Sequence, residues 1–179
     1  EYRALGRILA NAAEDERYTR TVEMIRQIAM SGCRRSEVIK LRKTELDTVG
    51  SCFRFEDTKE GQSVRPMGLP VLEYFDERDM SGDSPYVFPG ERTLAKPFGS
   101  FPRHWEKIFA GTELADITAH VLRHSFASLA NDLGFTEPGF YQVDKQGLTL
   151  DLIAALQAHH AHFNIAPADS GTSAAVSVL

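Results

Sequence analysis

The sequence predicts a mainly helical α+β domain with a small three-stranded antiparallel sheet on one side. Apolar residues recur every three or four positions in several segments of the 179-residue chain, which is the pattern of amphipathic helices. The segment Phe53-Arg54-Phe55 instead alternates as a strand does, and polar turn residues follow it. Apolar residues make up 42% and charged residues 25% of the chain, a composition typical of folded rather than disordered proteins.

Helices are expected at the start of the chain, two of them within residues 1–30 and joined in the charged segment 11–21. A bend at residues 30–32 ends the second helix, because Gly32 tolerates the backbone angles of a tight turn. A third helix begins near Arg35. The inward-facing positions are Tyr2, Leu5, Ile8 and Leu9, then Val22, Ile25, Ile28 and Ala29, then Val38, Ile39 and Leu41.

The sheet is expected between residues 44 and 67. Residues 44–47 form a turn that feeds a strand, and residues 53–55 alternate as a strand does. Residues 63–67 are the strand that returns from a hairpin turn at 58–62. Beyond the sheet, the expected elements are a helix from Pro70, a Gly-, Pro- and Ser-rich loop at 81–100, and helices at 101–109, 119–133 and 150–161. The domain is expected to span residues 1–166, and residues 167–179 are expected to form a tail.

The bulk composition limits location and partners. The net charge of −5 argues mildly against a DNA-binding surface, although a local basic face would suffice for one. No stretch approaches the roughly 18 uninterrupted apolar residues of a membrane helix, and the N-terminus carries no signal peptide. Cys33 and Cys52 form no CxxC pair, so a reducing cytoplasm is expected. Since Glu1 stands where an initiator Met would, the chain is interpreted as a segment of a longer protein.

Basic residues stand at turns or helix starts in separate segments of the chain. Arg34 follows the bend at Gly32, Lys59 lies in the hairpin turn, and His120 and Arg123 are three residues apart on one predicted helix face. Arginine binds phosphate oxygens bidentately, and a lysine and a histidine can move protons beside it. Brought together, these side chains would make a site for phosphoryl transfer that works by positioning and charge neutralisation.

The segments that carry these residues resemble the tyrosine recombinases, or phage integrases. The first, MSGCRRSEVIKLRKTELD at 30–47, looks like the family's first catalytic arginine in its G-x-R-x-x-E context. The second, TKEGQSVRPMGLP at 58–70, is similar to the hairpin that bears the catalytic lysine. Residues 86–109 resemble the loop and helix that follow, and ITAHVLRHSFASLANDLG at 117–134 resembles the H-x-L-R-H box. The matches keep the family's order over roughly residues 1–138.

The resemblance implies a role for each matched residue. Arg34 and Arg123 would clamp the non-bridging oxygens of the scissile phosphate, with Glu37 as a supporting residue behind them. His120 would add a hydrogen bond or move a proton, and Lys59 would protonate the leaving 5′-oxygen. A tyrosine would attack phosphorus and form a 3′-phosphotyrosyl bond, so DNA integration or excision by a mobile element would need no cofactor. The implied partners are double-stranded DNA and further copies of the protein, since the family acts as a tetramer.

The C-terminal part of the chain departs from the family's pattern. His159 matches the family's second histidine, but no tyrosine follows it. The last tyrosine is Tyr141, within an insertion at 139–152 that the family pattern does not place. Tyr141 as a relocated nucleophile, an inactive relative and an altered form of an active enzyme all stay open. The family's N-terminal DNA-clamping domain is expected to be absent from this chain.

Two rival functions remain beside the enzyme. A catalytically silent DNA-binding domain predicts salt-dependent duplex binding without a covalent adduct. A helical interaction module, in which Lys59 and His120 are ordinary surface residues, predicts that Arg34 and Arg123 lie far apart. The acidic pI of about 5.7 favours this second rival.

Two further signals have ordinary interpretations. Cys33, next to Arg34, is interpreted as a buried small residue, with a low-pKa thiol as the alternative. His159, His160 and His162 have no second pair of ligands at the usual spacing, so no metal site is predicted.

Overall fold

The computed structural model describes residues 2–58 and 61–132, with the backbone alone described at 57 and 58. The predicted α+β fold, mainly helical with a three-stranded antiparallel sheet, is confirmed within these residues. The predicted helix at 150–161, the insertion and the tail lie outside them. The helices are α1 (Tyr2–Ala13), α2 (Glu16–Ser31), α3 (Arg35–Lys40), α4 (Leu69–Glu77), α5 (Phe101–Phe109) and α6 (Ala119–Asp132), the strands are β1 (Leu46–Asp47), β2 (Cys52–Thr58) and β3 (Gly61–Pro66), and a 3-10 turn (Lys43–Glu45) precedes β1.

Helix α2 is the centre of the domain and packs against α1, α3, α4, α5 and α6. The predicted inward positions of α2 are buried, with Ile25 and Ile28 at 0% exposure. Burying an aliphatic side chain of this size contributes roughly 1.5–3 kcal/mol. The apolar face of α2 is therefore the main support on which the other helices are placed.

Both ends of α2 are capped by side chains or backbone that the sequence supplies locally. At the start, the Asp15 carboxylate accepts a hydrogen bond of 3.0 Å from the Arg17 backbone N–H. At the end, Gly32 takes a left-handed conformation with φ of 62° and its N–H donates to the Ile28 carbonyl at 3.0 Å. The predicted bend at residues 30–32 is thus a glycine C-cap, and it turns the chain directly into α3.

The sheet has the order β1-β2-β3 and one face on the core. Phe53 and Phe55 of β2 stack at 5.6 Å, and Phe75 of α4 meets Phe53 edge-on at the same separation. Register pairs Phe53 with Arg65 of β3. Since directly opposed residues in an antiparallel pair share a face, Arg65 points toward the core.

Helix α5 packs through the aromatic stripe that its spacing predicts. Trp105 lies 5.6 Å from Phe101 and 4.7 Å from Phe109, ring centroid to ring centroid. The Trp105 indole N–H donates to the Ile117 carbonyl at 3.2 Å, which ties α5 to the segment that leads into α6. In the part of the chain that the structure describes, no helix is long and apolar enough to span a bilayer.

Candidate functional site

Arg34 occupies the turn between α2 and α3 and is anchored to Glu37. The Arg34 backbone N–H donates to Glu37 Oε2 at 2.7 Å, and its guanidinium Nη1 donates to Glu37 Oε1 at 2.9 Å. Glu37 is the third residue of α3, so its carboxylate caps the helix start while it holds the arginine. Glu37 is 8% exposed, whereas the Arg34 side chain is 29% exposed. The arginine therefore reaches solvent from a fixed, buried carboxylate.

Arg65 approaches the same carboxylate from the sheet. Its Nη2 lies 3.7 Å from Glu37 Oε1, and the residue is 1% exposed. Burial lowers the pKa of Arg65 below its ordinary value, and the nearby Glu37 carboxylate acts in the opposite direction. Arg65 is nonetheless a permanent cation, because the ordinary pKa of arginine lies far above neutral pH.

Arg123 joins the site from α6, far along the chain. Its guanidinium Nη1 donates to the carbonyl oxygen of Gly32, at the C-cap of α2. The charges of Arg123 and Arg34 both lower the pKa of Arg65, because like charges nearby disfavour its charged form. Arg34, Arg65 and Arg123, called the arginine cluster below, therefore lie around one point. Arg123 thus lies near the turn that carries Arg34, whereas the interaction-module rival predicts that the two arginines lie far apart.

Gly32 is the contact that sets the depth of α6. A Cβ added to Gly32 would lie 2.9 Å from Cε1 and 3.0 Å from Cγ of the Phe126 ring. Phe126 is 2% exposed and stands one turn after Arg123 on α6. The absence of a side chain at Gly32 thus lets α6 approach closely enough for Arg123 to reach the backbone of the α2–α3 turn.

His120 lies in the first turn of α6, where the Thr118 hydroxyl oxygen accepts a hydrogen bond from the Val121 N–H at 3.2 Å. Its Nε2 is 2.7 Å from Nε2 of His124, and the two rings meet edge-on at 4.2 Å. Such a contact needs a proton on one Nε2 and a lone pair on the other. Both histidines are exposed, on the helix that delivers Arg123.

Cys33, between the glycine turn and Arg34, is not a reactive thiol. The residue is 0% exposed, and burial, with a smaller contribution from the nearby Glu37 carboxylate, raises the pKa of its thiol to about 12. The interpretation as a buried small residue is confirmed, and the alternative of a low-pKa thiol is wrong. The neighbouring arginines act to lower the pKa, but desolvation is the larger effect.

Lys59, Tyr141 and His159 lie outside the described residues, so their roles stay predictions. The described residues on either side of positions 59 and 60 are Thr58 of β2 and Gly61 of β3, whose Cα atoms pair in the ladder.

Three described tyrosines are engaged elsewhere. Tyr18 meets His104 edge-on at 5.1 Å, Arg78 stacks over Tyr74, and Arg42 stacks over Tyr86. These contacts are made on α2, on α4 and on the loop after α4.

Arg65 is the member of the site that no sequence motif indicates. The signal was present, because only two residues separate β2 from β3 in the sequence and the antiparallel register places Arg65 opposite an aromatic residue. A cation at an inward strand position is unusual, since arginine is almost never fully buried without a partner. His124 lies on a helix, so strand register does not concern it. Its contact with His120 follows from helical i,i+4 spacing.

The arrangement is suited to binding a phosphate. Three guanidinium groups converge, and the Glu37 carboxylate makes ion pairs with two of them. The cluster therefore carries an excess of positive charge in a protein whose net charge is −5. Guanidinium groups bind phosphate oxygens with paired hydrogen bonds. Within residues 2–58 and 61–132, no group of three or more His, Cys, Asp or Glu residues is placed to hold a metal ion.

Comparison with known families decides what this site belongs to. The sequence model of the phage integrase family matches residues 3–134, which contain the whole arginine cluster and both histidines of α6. The chain belongs to the phage integrase family. The match also contains Lys59 and ends before the insertion at 139–152. The family resemblance that the motifs indicate is thereby confirmed.

Solved structures show the same fold. The integrase of the transposon Tn1549, in complex with circular intermediate DNA, is 16% identical with a TM-score of 0.50, over 91% of this chain and 58% of that one. The recombinase XerA is 22% identical with a TM-score of 0.50, over 90% of this chain and 55% of that one. The chain thus spans less than two thirds of these proteins. A search of curated proteins finds no match.

Proposed function

We propose that this chain is the catalytic part of a site-specific DNA recombinase, in which Arg34 and Arg123 of the arginine cluster hold the scissile phosphate of duplex DNA. The observation that carries the proposal is the convergence of Arg34 and Arg123. The Arg123 guanidinium binds the carbonyl of Gly32, which is 91 residues earlier in the chain and two residues before Arg34. The family of the chain and the DNA bound to the Tn1549 integrase support it.

In the proposed reaction, Arg34 and Arg123 bind the non-bridging oxygens and stabilise the charge that develops on them in the transition state. A tyrosine hydroxyl oxygen forms the new bond to phosphorus while the bond to the 5′-oxygen breaks. Lys59 donates a proton to that leaving oxygen. His120 either adds a hydrogen bond to the phosphate or accepts the proton that the attacking hydroxyl loses. The candidate nucleophile in this sequence is Tyr141, the last tyrosine of the chain.

Binding is tested first, by fluorescence anisotropy with a labelled duplex over a range of salt concentrations. Each lost phosphate contact reduces the slope of log affinity against log salt by about 0.9. Arg34→Ala and Arg123→Ala are each expected to show that change and to weaken binding roughly tenfold or more. Arg7→Ala is the matched control, since it removes an exposed arginine that is paired with Glu113 at 2.8 Å. Equal effects of all the variants would contradict a phosphate site at the arginine cluster.

Chemistry is tested with a nicked suicide duplex that traps the covalent intermediate. The substrate is a library of attachment-like sites, and a denaturing gel is read for a protein–DNA band. A band that is present with the native chain and absent with Tyr141→Phe supports the proposed nucleophile. Duplex binding that depends on Arg34 and Arg123, with no band, would instead establish the silent DNA-binding rival.

A further inference from the structure

Arg65 is the residue of the site whose position the proposed reaction does not explain. It is 1% exposed, so it cannot contact DNA in this conformation. Taking a guanidinium out of water is unfavourable, and an aliphatic side chain opposite Phe53 would pack on the same face without that penalty. A buried cation kept at such a position, beside a carboxylate that another cation also uses, points to an electrostatic role.

The geometry around Glu37 shows what that role is. One oxygen, Oε1, faces both Arg34 Nη1 at 2.9 Å and Arg65 Nη2 at 3.7 Å, while Oε2 accepts from the Arg34 backbone N–H. If Arg34 were the only partner of Glu37, the carboxylate would cancel the charge of the Arg34 guanidinium, which is the group that reaches solvent. With Arg65 behind it, the negative charge is shared, and Arg34 keeps a net attraction for an anion.

We infer that Arg65 is a positioning residue of the phosphate site: it fixes the Glu37 carboxylate from the buried side and offsets its charge, so that Arg34 is held in place without being neutralised. This inference rests on the proposed function, because it takes the ligand of Arg34 to be a DNA phosphate. It adds a third arginine that acts through Glu37 rather than through contact with DNA. It also links β3, the strand that follows Lys59, to the helix start that carries Arg34.

The inference is tested by duplex affinity and its salt dependence in Arg65→Met. Binding is expected to weaken about tenfold, comparable to the loss of one charge-assisted hydrogen bond, because Glu37 then neutralises Arg34. The slope against log salt is expected to stay as in the native chain, since Arg65 makes no phosphate contact. Arg65→Lys keeps the charge and is expected to retain most of the affinity, which a purely steric role would not produce.

A double-mutant cycle with Glu37→Gln separates this role from general destabilisation. With no carboxylate charge to offset, adding Arg65→Met to Glu37→Gln is expected to change the affinity of the folded protein by less than twofold. Arg78→Met is the matched control, because Arg78 forms a partly buried ion pair with Glu23 at 2.9 Å outside the cluster. It is expected to lower stability and leave duplex affinity unchanged.

The outcomes distinguish the inference from the proposed function. Native chain that does not bind duplex would overturn the proposed function and this role of Arg65 with it. Binding that weakens in Arg34→Ala but not in Arg65→Met would overturn the inference alone. An effect of Arg65→Met that is as large with Glu37→Gln as without it would do the same. Circular dichroism and Trp105 fluorescence give the folded fraction to which each affinity is referred, and Arg65→Lys supplies the test if Arg65→Met does not fold.

Discussion

Replacing Gly32 with alanine is expected to destabilise the domain and to disturb the arginine cluster together. Gly32 has φ of 62°, a conformation that L-residues with a Cβ adopt at a cost of about 1–2 kcal/mol. The new Cβ would also lie 2.9 Å from Cε1 and 3.0 Å from Cγ of Phe126, closer than real Cβ atoms approach a neighbour. The ring is buried, so α6 has to move to make room.

The size of the effect follows from adding these two terms. Inserting a methyl group into a well-packed core costs about 1–3 kcal/mol. With the backbone term, Gly32→Ala is expected to lower the free energy of unfolding by about 2–5 kcal/mol. Phe126 stands one turn after Arg123 on α6, so the displacement that relieves the overlap also moves Arg123 away from the Gly32 carbonyl.

Gly111 supplies the matched control for this substitution. It has φ of 72°, and an added Cβ would meet no atom within 4 Å. Gly111→Ala therefore carries the backbone penalty alone, about 1–2 kcal/mol. Urea unfolding followed by Trp105 fluorescence measures both variants, and duplex anisotropy measures the site. The expected pattern is a larger loss of stability in Gly32→Ala, and weaker duplex binding in that variant only.

Equal losses of stability in the two alanine variants would refute the reasoning, because the Phe126 overlap would then contribute nothing. If folded Gly32→Ala binds duplex as tightly as the native chain, the proposed coupling between the depth of α6 and the position of Arg123 is refuted. Either result is readable without knowledge of the recombination target, since both measurements use the folded chain and a duplex of arbitrary sequence.

Three further predictions concern titration and burial. Burial lowers the pKa of His104 below its ordinary value of 6.5, so the folded state favours the neutral ring. The free energy of unfolding is therefore expected to fall as the pH drops below 6.5. Urea unfolding is expected to show a smaller fall in His104→Gln. Cys33 and Cys52 are buried, and the pKa values of their thiols are raised. Both are expected to react with a disulfide reagent at about pH 8 only when the protein unfolds. The thiol that the reagent releases measures this reaction. Glu37→Ala leaves the buried Arg65 and the partly exposed Arg34 without their carboxylate. It is expected to lower the free energy of unfolding by about 3–5 kcal/mol, and Glu37→Gln by less.

Each of these has an outcome that contradicts it. A stability profile in His104→Gln that matches the native one between pH 7.5 and 5.5 would show that His104 is not the titrating group. Rapid labelling of either thiol in the native protein would show that the segment that bears it opens readily. Equal stability of Glu37→Ala and the native chain would mean that the carboxylate does not hold the arginines together.

The helices could be predicted because their signal is local. Apolar spacing in α1, α2 and α6 and the aromatic stripe of α5 depend on residues three and four apart, and the structure places these elements where the spacing indicates. Arg34 and Arg123 could be identified as partners for a related reason, since each stands in a short motif of the family. Their convergence could not be derived from local pattern, because it depends on how closely α6 packs against Gly32.

Arg65 was not predicted because its role depends on pairing across strands. Its neighbours in sequence say only that a strand returns from a hairpin; the register that sets it opposite Phe53 decides that it faces inward. The Glu37 carboxylate shows the same limit, since its position in a helix start predicts a cap and not an ion pair with β3. Lys59, Tyr141 and His159 remain predictions from the family's pattern.

The hydrogen bond between Arg123 and the Gly32 carbonyl also has a consequence for the order of events during synthesis. Its two ends are 91 residues apart, so the anion site cannot assemble on a nascent chain until α6 has left the ribosome. Until then a partly made chain lacks Arg123, the third member of the arginine cluster. Completion of the helix that carries Arg123 is thus the step at which the arginine cluster can first form on the translated polypeptide.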